Sequence, residues 1–309
     1  MAVEARLARD YVVRLNTDDR PFGAADWQAQ CHDADAVLCT PVDSITAAVI
    51  ALMPSSVRII ATFSVGFNHI DRLAAQARGI VVTNTPDVLT DATADVAMLL
   101  MLAAARRAGE GEALMRRREW TGWAPTQLLG THLGGKSLGI VGLGRIGSAV
   151  ARRAVAFNMA IHYVSVAEKQ VANVPLHWHK DEATFWPACQ FVSLHLPATP
   201  ATHGFLNASR LSALPRGAIV VNTARGDIVD DNALIAALHS GQVAAAGLDV
   251  FIGEPQFRAE YAALSNTFLL PHLGSATRQT RCAMGFRALD NLDAFFAGRP
   301  PPDQVPARD

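Results

Sequence analysis

The chain has 309 residues, half of them hydrophobic, four cysteines and a formal net charge of −1. That length suggests about two domains with a sizeable core, and the near-neutral charge excludes the electrostatic footprint of a nucleic-acid binder or of a protein held on anionic membrane. Cys31, Cys39, Cys189 and Cys282 are scattered, form no Cys-x-x-Cys pair and fit reduced thiols in the cytoplasm.

Met1 to Arg9 carries Glu4, Arg6 and Arg9 and has no long apolar stretch, so it does not read as a signal peptide. Tyr11–Leu15, Ala36–Cys39, Ile59–Phe63 and Ile80–Thr83 read as short strands, separated by helical patterns at Ser44–Leu52 and His69–Arg78. Strands alternating with helices predict an α/β lobe with a parallel sheet. Asp91–Arg107 reads as a long helix with Asp91 as N-cap. Its run Val96 to Ala105 is too short to span a bilayer, and its apolar face is expected at a domain or subunit interface.

A second α/β series follows. Strands are predicted at Leu138–Val141, Ile161–Ser165, Phe191–Leu194, Ile219–Asn222 and Gly247–Val250, and helices at Gly147–Phe157 and Asn232–Ser240. Asn158 stands where the first of these helices should stop, in keeping with its tolerance of left-handed backbone. A last helix is predicted over Arg281 to Ala297. The order implies two Rossmann-like lobes. A nucleotide-binding lobe (97–276) is inserted into a discontinuous, flavodoxin-like substrate lobe (1–96 and 277–309), and a ligand cleft is expected between the two.

The strongest local signal is Gly142-Leu143-Gly144-Arg145-Ile146-Gly147, directly after an apolar strand and opening a helix. In this Gly-x-Gly-x-x-Gly pattern Gly142 makes the tight turn. Gly144 admits a pyrophosphate against the backbone, and Gly147 lets helix and strand pack closely. The helix N-terminus then offers N–H groups and a positive dipole end to phosphate. Three further strand ends in this lobe carry polar residues: Arg225, Glu254 and His272. Together they form a coherent set. Arg225 suits bidentate binding of a carboxylate. His272 suits proton exchange with a substrate oxygen, and Glu254 is placed to pair with it and keep it protonated.

Several other residues take plainer readings. His177-Trp178-His179 has no third ligand nearby and reads as a half-exposed strand, so no metal site is expected. Arg116-Arg117-Arg118 reads as a solvated helix face.

The set of motifs resembles the D-2-hydroxyacid dehydrogenase family over nearly the whole chain. The carrying motifs are Val141–Gly147, His195-Leu196-Pro197, Asn222-Thr223-Ala224-Arg225-Gly226, Gly247-Leu248-Asp249-Val250 with Glu254-Pro255, and Pro271-His272-Leu273-Gly274-Ser275. Within the family the chain is most similar to glyoxylate/hydroxypyruvate reductases, through Asn84–Thr90, Trp120-Thr121-Gly122-Trp123 and Gly274-Ser275-Ala276-Thr277. The resemblance implies NAD(P)H-dependent reduction of a small 2-oxoacid to a D-2-hydroxyacid. It implies Arg225, Glu254 and His272 as catalytic residues, and Val65, Gly66, Arg225, Ser275 and Trp123 as substrate contacts. The cofactor contacts it implies are Gly142, Gly144, Arg145, Ile146, Gly147, Ser165, His195, Pro197, Thr202, Thr223, Ala224, Asp249 and Gly274. It also implies a homodimer, in which a tryptophan reaches the partner's site.

Ser165 stands eighteen residues after Gly147, where NAD-preferring relatives carry an acid. No Arg follows it; Val166 stands there, and Lys169 is the nearest cation. The expectation leans to NADP(H), with NAD(H) left open. Asn68-His69 and Phe67 also depart from the family pattern, so the substrate acid stays open between glyoxylate and hydroxypyruvate. Alternatives are a phosphoglycerate, phosphite or formate dehydrogenase of the same fold, or a dinucleotide-sensing protein of corepressor type.

Overall fold

A computed structural model describes residues 2–307. The chain divides into two compact units, with boundaries at Leu89/Thr90 and Ala276/Thr277. The first unit is discontinuous in sequence. In chain order it contains α1 (Ala2–Asp10), α2 (Ala24–Cys31), β1 (Ala36–Cys39), α3 (Ala47–Leu52), β2 (Ile59–Thr62), α4 (Arg72–Ala77) and β3 (Val81–Thr83). The three strands form a parallel sheet in the order β1-β2-β3. Successive β2 side chains go to opposite faces, as strand geometry requires. Ile60 packs with Ile45, Ile50 and Ile70, whereas Ile59 and Ala61 pack with Leu289 and Leu292 of the chain's last helix. The helices of this unit start later than the sequence pattern suggests, because side chains cap them: Thr46 accepts from Val49 N, and Asp71 from Ala74 N.

Tyr11–Leu15 is not a strand. The segment pairs with no sheet, and Val12 and Leu15 lie open to solvent. Its apolar letters imitate a strand, but side chains hold it. The Tyr11 hydroxyl donates to Asp293, the Tyr11 ring lies against Phe296, and Arg14 reaches Gln30 O at 2.7 Å.

The second unit opens with α5 (Thr90–Ala105) and α6 (Ala108–Arg116). There follow β4 (Ser137–Val141), α7 (Arg145–Ala156), β5 (Ala160–Val164), β6 (Leu176–Trp178), α8 (Glu182–Phe185), β7 (Phe191–Leu194), α9 (Ala208–Ala213) and β8 (Ala218–Asn222). The unit closes with α10 (Asp231–Ser240), β9 (Val243–Leu248), α11 (Ala259–Ala263) and β10 (Thr267–Leu269), and α12 (Arg278–Phe296) returns to the first unit. All seven strands are parallel, in the order β10-β9-β8-β7-β4-β5-β6. This is a doubly wound nucleotide-binding sheet, whose direction of winding reverses between β4 and β7.

The α5 helix differs from expectation in two ways. It begins at Thr90, so Asp91 lies in the first turn and is not the cap. Its apolar face is buried within its own unit. Leu100 approaches β9 so closely that a β-carbon on Gly247 would lie 2.9 Å from Leu100 O, and Ala97, Met98 and Met101 join the core cluster with Ile140, Ile219 and Ala245. The first unit boundary accordingly falls ahead of this helix. Among the described residues, no helix is long and apolar enough to cross a membrane. No group of three or more His, Cys, Asp or Glu among them is placed to hold a metal ion.

His177 and Trp178 lie in the edge strand β6, and His179 follows it directly. Thr184 Oγ1 spends its proton on Asp181 O, so it accepts from His179 Nδ1 at 2.8 Å. His179 Nε2 is therefore the acceptor for His162 Nδ1, 2.9 Å away. His162 also stacks on His177. Burial first, then the charges of neighbouring histidines, holds His162 and His179 below the ordinary value of 6.5. The unfolded chain therefore takes up protons first as pH falls. The stability these two neutral rings confer is complete above about pH 6.5 and is lost on acidification. The expected outcome is a fall in Tm between pH 7 and pH 5 that is smaller in His179→Gln than in wild type; equal falls would remove the histidine pair as its source.

Candidate active site

The turn between β4 and α7 has no room for a side chain at its first and last glycines. Gly142 has φ +92°, and a β-carbon there would lie 2.8 Å from His195 O at the end of β7. A β-carbon at Gly147 would lie 2.3 Å from Gly142 O. Gly144, the N-cap of α7, is exposed, and a β-carbon there would meet nothing within 4 Å. The turn thus presents bare backbone and the first N–H groups of a 12-residue helix to open space, at the point where the sheet reverses its winding. Arg145 is exposed on the first turn of α7 and Ile146 half-buried beside it. Asn158 terminates the helical stretch with φ 57°, in the left-handed conformation expected of it.

Two buried polar atoms nearby in the strand order have no hydrogen-bond partner: His195 Nδ1 beyond β7 and Thr223 Oγ1 beyond β8. His195 Nε2 lies 2.8 Å from Ser193 Oγ, and burial pushes the imidazole down to about 4, so it is neutral near pH 7. Pro197 is exposed. Thr202 Oγ1 is spent on its own loop, donating to Pro197 O at 2.6 Å and accepting from Thr199 N at 2.8 Å.

The ends of β8, β9 and β10, three neighbouring strands, bring Arg225, Asp249, Glu254 and His272 together. After β8, Asn222 brackets the turn: its Oδ1 accepts from Ala224 N and its Nδ2 donates to Arg225 O, both at 2.9 Å. A β-carbon on Gly226 would lie 2.0 Å from Phe251 C, which seats the turn against the chain leaving β9. Arg225 Nη1 donates to Ala224 O at 2.6 Å. Burial lowers the guanidinium's pKa from the usual arginine range, against the opposing charges of Glu254 and Asp227. Glu254 uses both oxygens: Oε1 accepts from Phe251 N at 2.8 Å, and Oε2 lies 2.7 Å from His272 Nδ1. Burial alone would raise the Glu254 carboxyl. The His272 hydrogen bond, the Phe251 N–H and the charges of His272 and Arg225 outweigh it and hold the group below the usual range. An ionised carboxylate therefore stands against one ring nitrogen and leaves Nε2 as the other working atom.

His272 has φ 54°, an uncommon conformation for a residue with a β-carbon, and such strain persists only where surroundings impose it. Here Asp249 imposes it. Its buried carboxylate accepts from Leu273 N at 2.6 Å and Gly274 N at 2.8 Å, while its backbone O accepts from His272 N at 2.9 Å. Burial raises the Asp249 carboxyl against those two amide bonds. Thr93 Oγ1 holds Gly274 O at 3.1 Å, and Ser275 follows, half-buried. The bracketing by Asn222 was open to sequence reasoning, since Asn at a strand end favours such turns. Thr93 gives no sequence signal.

Other candidates stand apart from this cluster. Val65 and Gly66 belong to the first unit, in the loop after β2. Ser165, at the end of β5, donates its hydroxyl to Ala167 O. The Tyr163 hydroxyl accepts from Lys169 N at 2.7 Å and donates to Lys169 O at 2.8 Å, and Lys169 Nζ caps Leu143 O of the glycine turn at 3.1 Å. Nothing in the local pattern marks Tyr163 for this role. Trp123 is 80% exposed, and Trp120, half exposed, bonds Gln127.

Residues 98–274 match the model of the D-isomer specific 2-hydroxyacid dehydrogenase, NAD binding domain, family. A glycerate dehydrogenase of Hyphomicrobium methylovorum is 44% identical over 96% of this chain and 93% of its own length. A glyoxylate reductase of Thermococcus litoralis is 44% identical over 89% of this chain and 84% of its own. Among solved structures, an NADPH-dependent glyoxylate/hydroxypyruvate reductase from Sinorhizobium meliloti, in complex with NADP and malonate, superposes with a TM-score of 0.88 at 35% identity. That match covers 99% of this chain and 93% of that one. With its glycine turn at the reversal of a parallel sheet and an Arg, a Glu and a His on adjacent strand ends, the chain belongs to the D-isomer specific 2-hydroxyacid dehydrogenase family.

Proposed function

We propose that this protein reduces a small 2-oxoacid, glyoxylate or hydroxypyruvate, to the D-2-hydroxyacid with a reduced nicotinamide dinucleotide. The observation that carries the proposal is the 2.7 Å contact between His272 Nδ1 and an ionised Glu254, beside Arg225. The residues present fit the dinucleotide. Gly144 offers uncrowded backbone at a helix N-terminus for its pyrophosphate, with Arg145, Ile146 and Gly147 in the same first turn. The orphaned His195 Nδ1 and Thr223 Oγ1 are atoms it would satisfy, and Pro197 and Thr202 after β7, Ala224 after β8 and Gly274 after β10 are its further contacts. When bound, the reduced nicotinamide supplies the hydride for the carbonyl carbon.

His272 Nε2 gives its proton to the carbonyl oxygen as that oxygen gains charge. Glu254 orients the ring through Nδ1 and offsets its positive charge. Arg225 binds the acid as a charged donor in a partly dehydrated setting. Asp249 holds the strained turn that positions His272. The amides of Val65 and Gly66 supply further donors to the carboxylate, and Ser275 and Trp123 contact the substrate. The relative that carries NADP and malonate, the latter a small carboxylate, supports both halves of this reading.

The same proposal takes NADP(H) as the favoured cofactor, on Ser165 in place of an acid and on Lys169 nearby. It takes a homodimer as the working form, because Met115, Trp120, Trp123 and Leu129 expose apolar surface along one segment. Four free cysteines fit a reducing cytoplasm. A steady-state survey of 2-oxoacids with NADPH and NADH tests the whole reading, and no turnover with glyoxylate or hydroxypyruvate would overturn it.

Three variants test the parts. His272→Ala is expected to lower kcat by about 10²–10⁴-fold with cofactor affinity retained; near wild-type kcat would remove His272 from the chemistry. Arg225→Ala is expected to raise KM for 2-oxoacids at least roughly ten-fold, the loss of a charged hydrogen bond; an unchanged KM would mean another residue anchors the acid. Ser165→Asp sets a negative charge against a 2′-phosphate, a repulsion on the order of 1–4 kcal/mol. It is expected to shift the kcat/KM ratio from NADPH towards NADH by about ten-fold or more. Wild type already preferring NADH strongly would refute the cofactor assignment.

A further inference from the structure

In the loop after β2 the four carbonyls from Ser64 to Phe67 are committed, whereas the Val65 and Gly66 amides are not. Ser64 O accepts from Thr85 N at 2.9 Å, Val65 O from Asn84 Nδ2 at 2.8 Å, Gly66 O from Ser64 Oγ at 2.6 Å and Phe67 O from Ile70 N at 3.1 Å. Among the described residues no acceptor is recorded for Val65 N or Gly66 N. A run of backbone donors whose carbonyls are all engaged elsewhere is suited to an anion.

The bonds behind this arrangement run in one direction. Ser64 Oγ has one proton, and it goes to Gly66 O, which can only accept. Thr62 Oγ1, 2.8 Å away, must therefore donate to Ser64 Oγ. Thr62 has then spent its own proton, so His69 Nε2, at 2.9 Å, donates to it. Thr62 and Ser64 are 0% and 4% exposed, so the chain is shielded from water. Cys39 Sγ lies 3.9 Å from the same ring nitrogen, and burial pushes that thiol up to about 12, which keeps it neutral. From the other side Asn84 is itself held: its N donates to Asp303 O at 3.2 Å, and its O accepts from Asn291 Nδ2 at 3.3 Å.

We propose that His69, Thr62 and Ser64 are positioning residues, a directed hydrogen-bond chain that turns the Gly66 carbonyl away and thereby keeps the place in front of the Val65 and Gly66 amides clear for the substrate carboxylate. The inference rests on the reading of this loop as the carboxylate loop. Without the chain, the peptide joining Gly66 to Phe67 is free to rotate and its oxygen competes for the place of the anion. The effect falls on acid binding, since none of the three side chains needs to touch substrate.

Thr62→Val keeps the shape and removes the middle link. Its expected effect is a rise in KM for glyoxylate and in Kd for oxamate of roughly two- to ten-fold, the worth of one buried neutral hydrogen bond. KM for the reduced cofactor should not change, kcat should change little, and Thr62→Ser should restore the wild-type KM. A fall in Tm with KM and Kd unchanged would make the chain merely structural and overturn the proposal. Ser64→Ala, which frees only the Gly66 carbonyl, is scored in the same way should Thr62→Val not fold. Gly66→Pro separates the two levels by deleting an amide N–H. If it leaves KM and Kd unchanged, the carboxylate reading fails. If it raises both while Thr62→Val and Ser64→Ala raise neither, the positioning chain alone fails.

Discussion

A β-carbon on residue 147 would sit 2.3 Å from the carbonyl oxygen of residue 142, and the second unit is built around that exclusion. It lets α7 start directly over the end of β4, so the helix N-terminus stands at the reversal of the sheet. The same steric demand recurs where Gly142 meets the carbonyl of His195, tying β4 to β7 across the reversal. Glycine at these positions carries an entropic cost in the unfolded chain. The close approach it permits, with exposed Gly144 between, is what leaves backbone N–H groups clear for phosphate oxygens.

The neighbouring strand ends follow a different logic, one of buried charge rather than bare backbone. Asp249 is a carboxylate at 1% exposure, and two amide N–H groups satisfy it. Burying such a group is costly unless its lone pairs are used. Here they are used on Leu273 and Gly274, which forces His272 into left-handed backbone. The imidazole is thereby fixed from its own main chain and from Glu254 at once. Precision of this kind limits the loss of alignment that a free rotamer would bring to proton transfer.

Behind the loop after β2, in the first unit, neutral side chains replace charge. Thr62, Ser64 and His69 form a directed chain, and Asn84, Asn291 and Asp303 form a second hydrogen-bond network, with the loop around Val65 and Gly66 between them. Asp303 is buried and takes a bidentate Arg287, so this second network is anchored by a full ion pair in the chain's last segment. The C-terminal stretch therefore has a mechanical role in the loop, although the two lie far apart in sequence.

The glycine spacing, the apolar runs and the polar residues at strand ends determined the α/β class, the parallel nucleotide sheet and the trio Arg225, Glu254 and His272. Each of those signals is local, a period of side chains or a residue at a fixed offset from a strand. Tyr11–Leu15 shows the limit of such signals: five residues with strand-like letters stay irregular because no neighbouring strand takes their hydrogen bonds. The burial of α5 inside its own unit depended on Gly247 admitting Leu100, a match between residues far apart in sequence. The clamp of Asp249 on the His272 turn, the lock of Tyr163 on Lys169 and the relay from His69 to Gly66 were likewise decided by tertiary structure. A hydrogen bond needs two atoms within about 3 Å, and only the folded chain brings those atoms together.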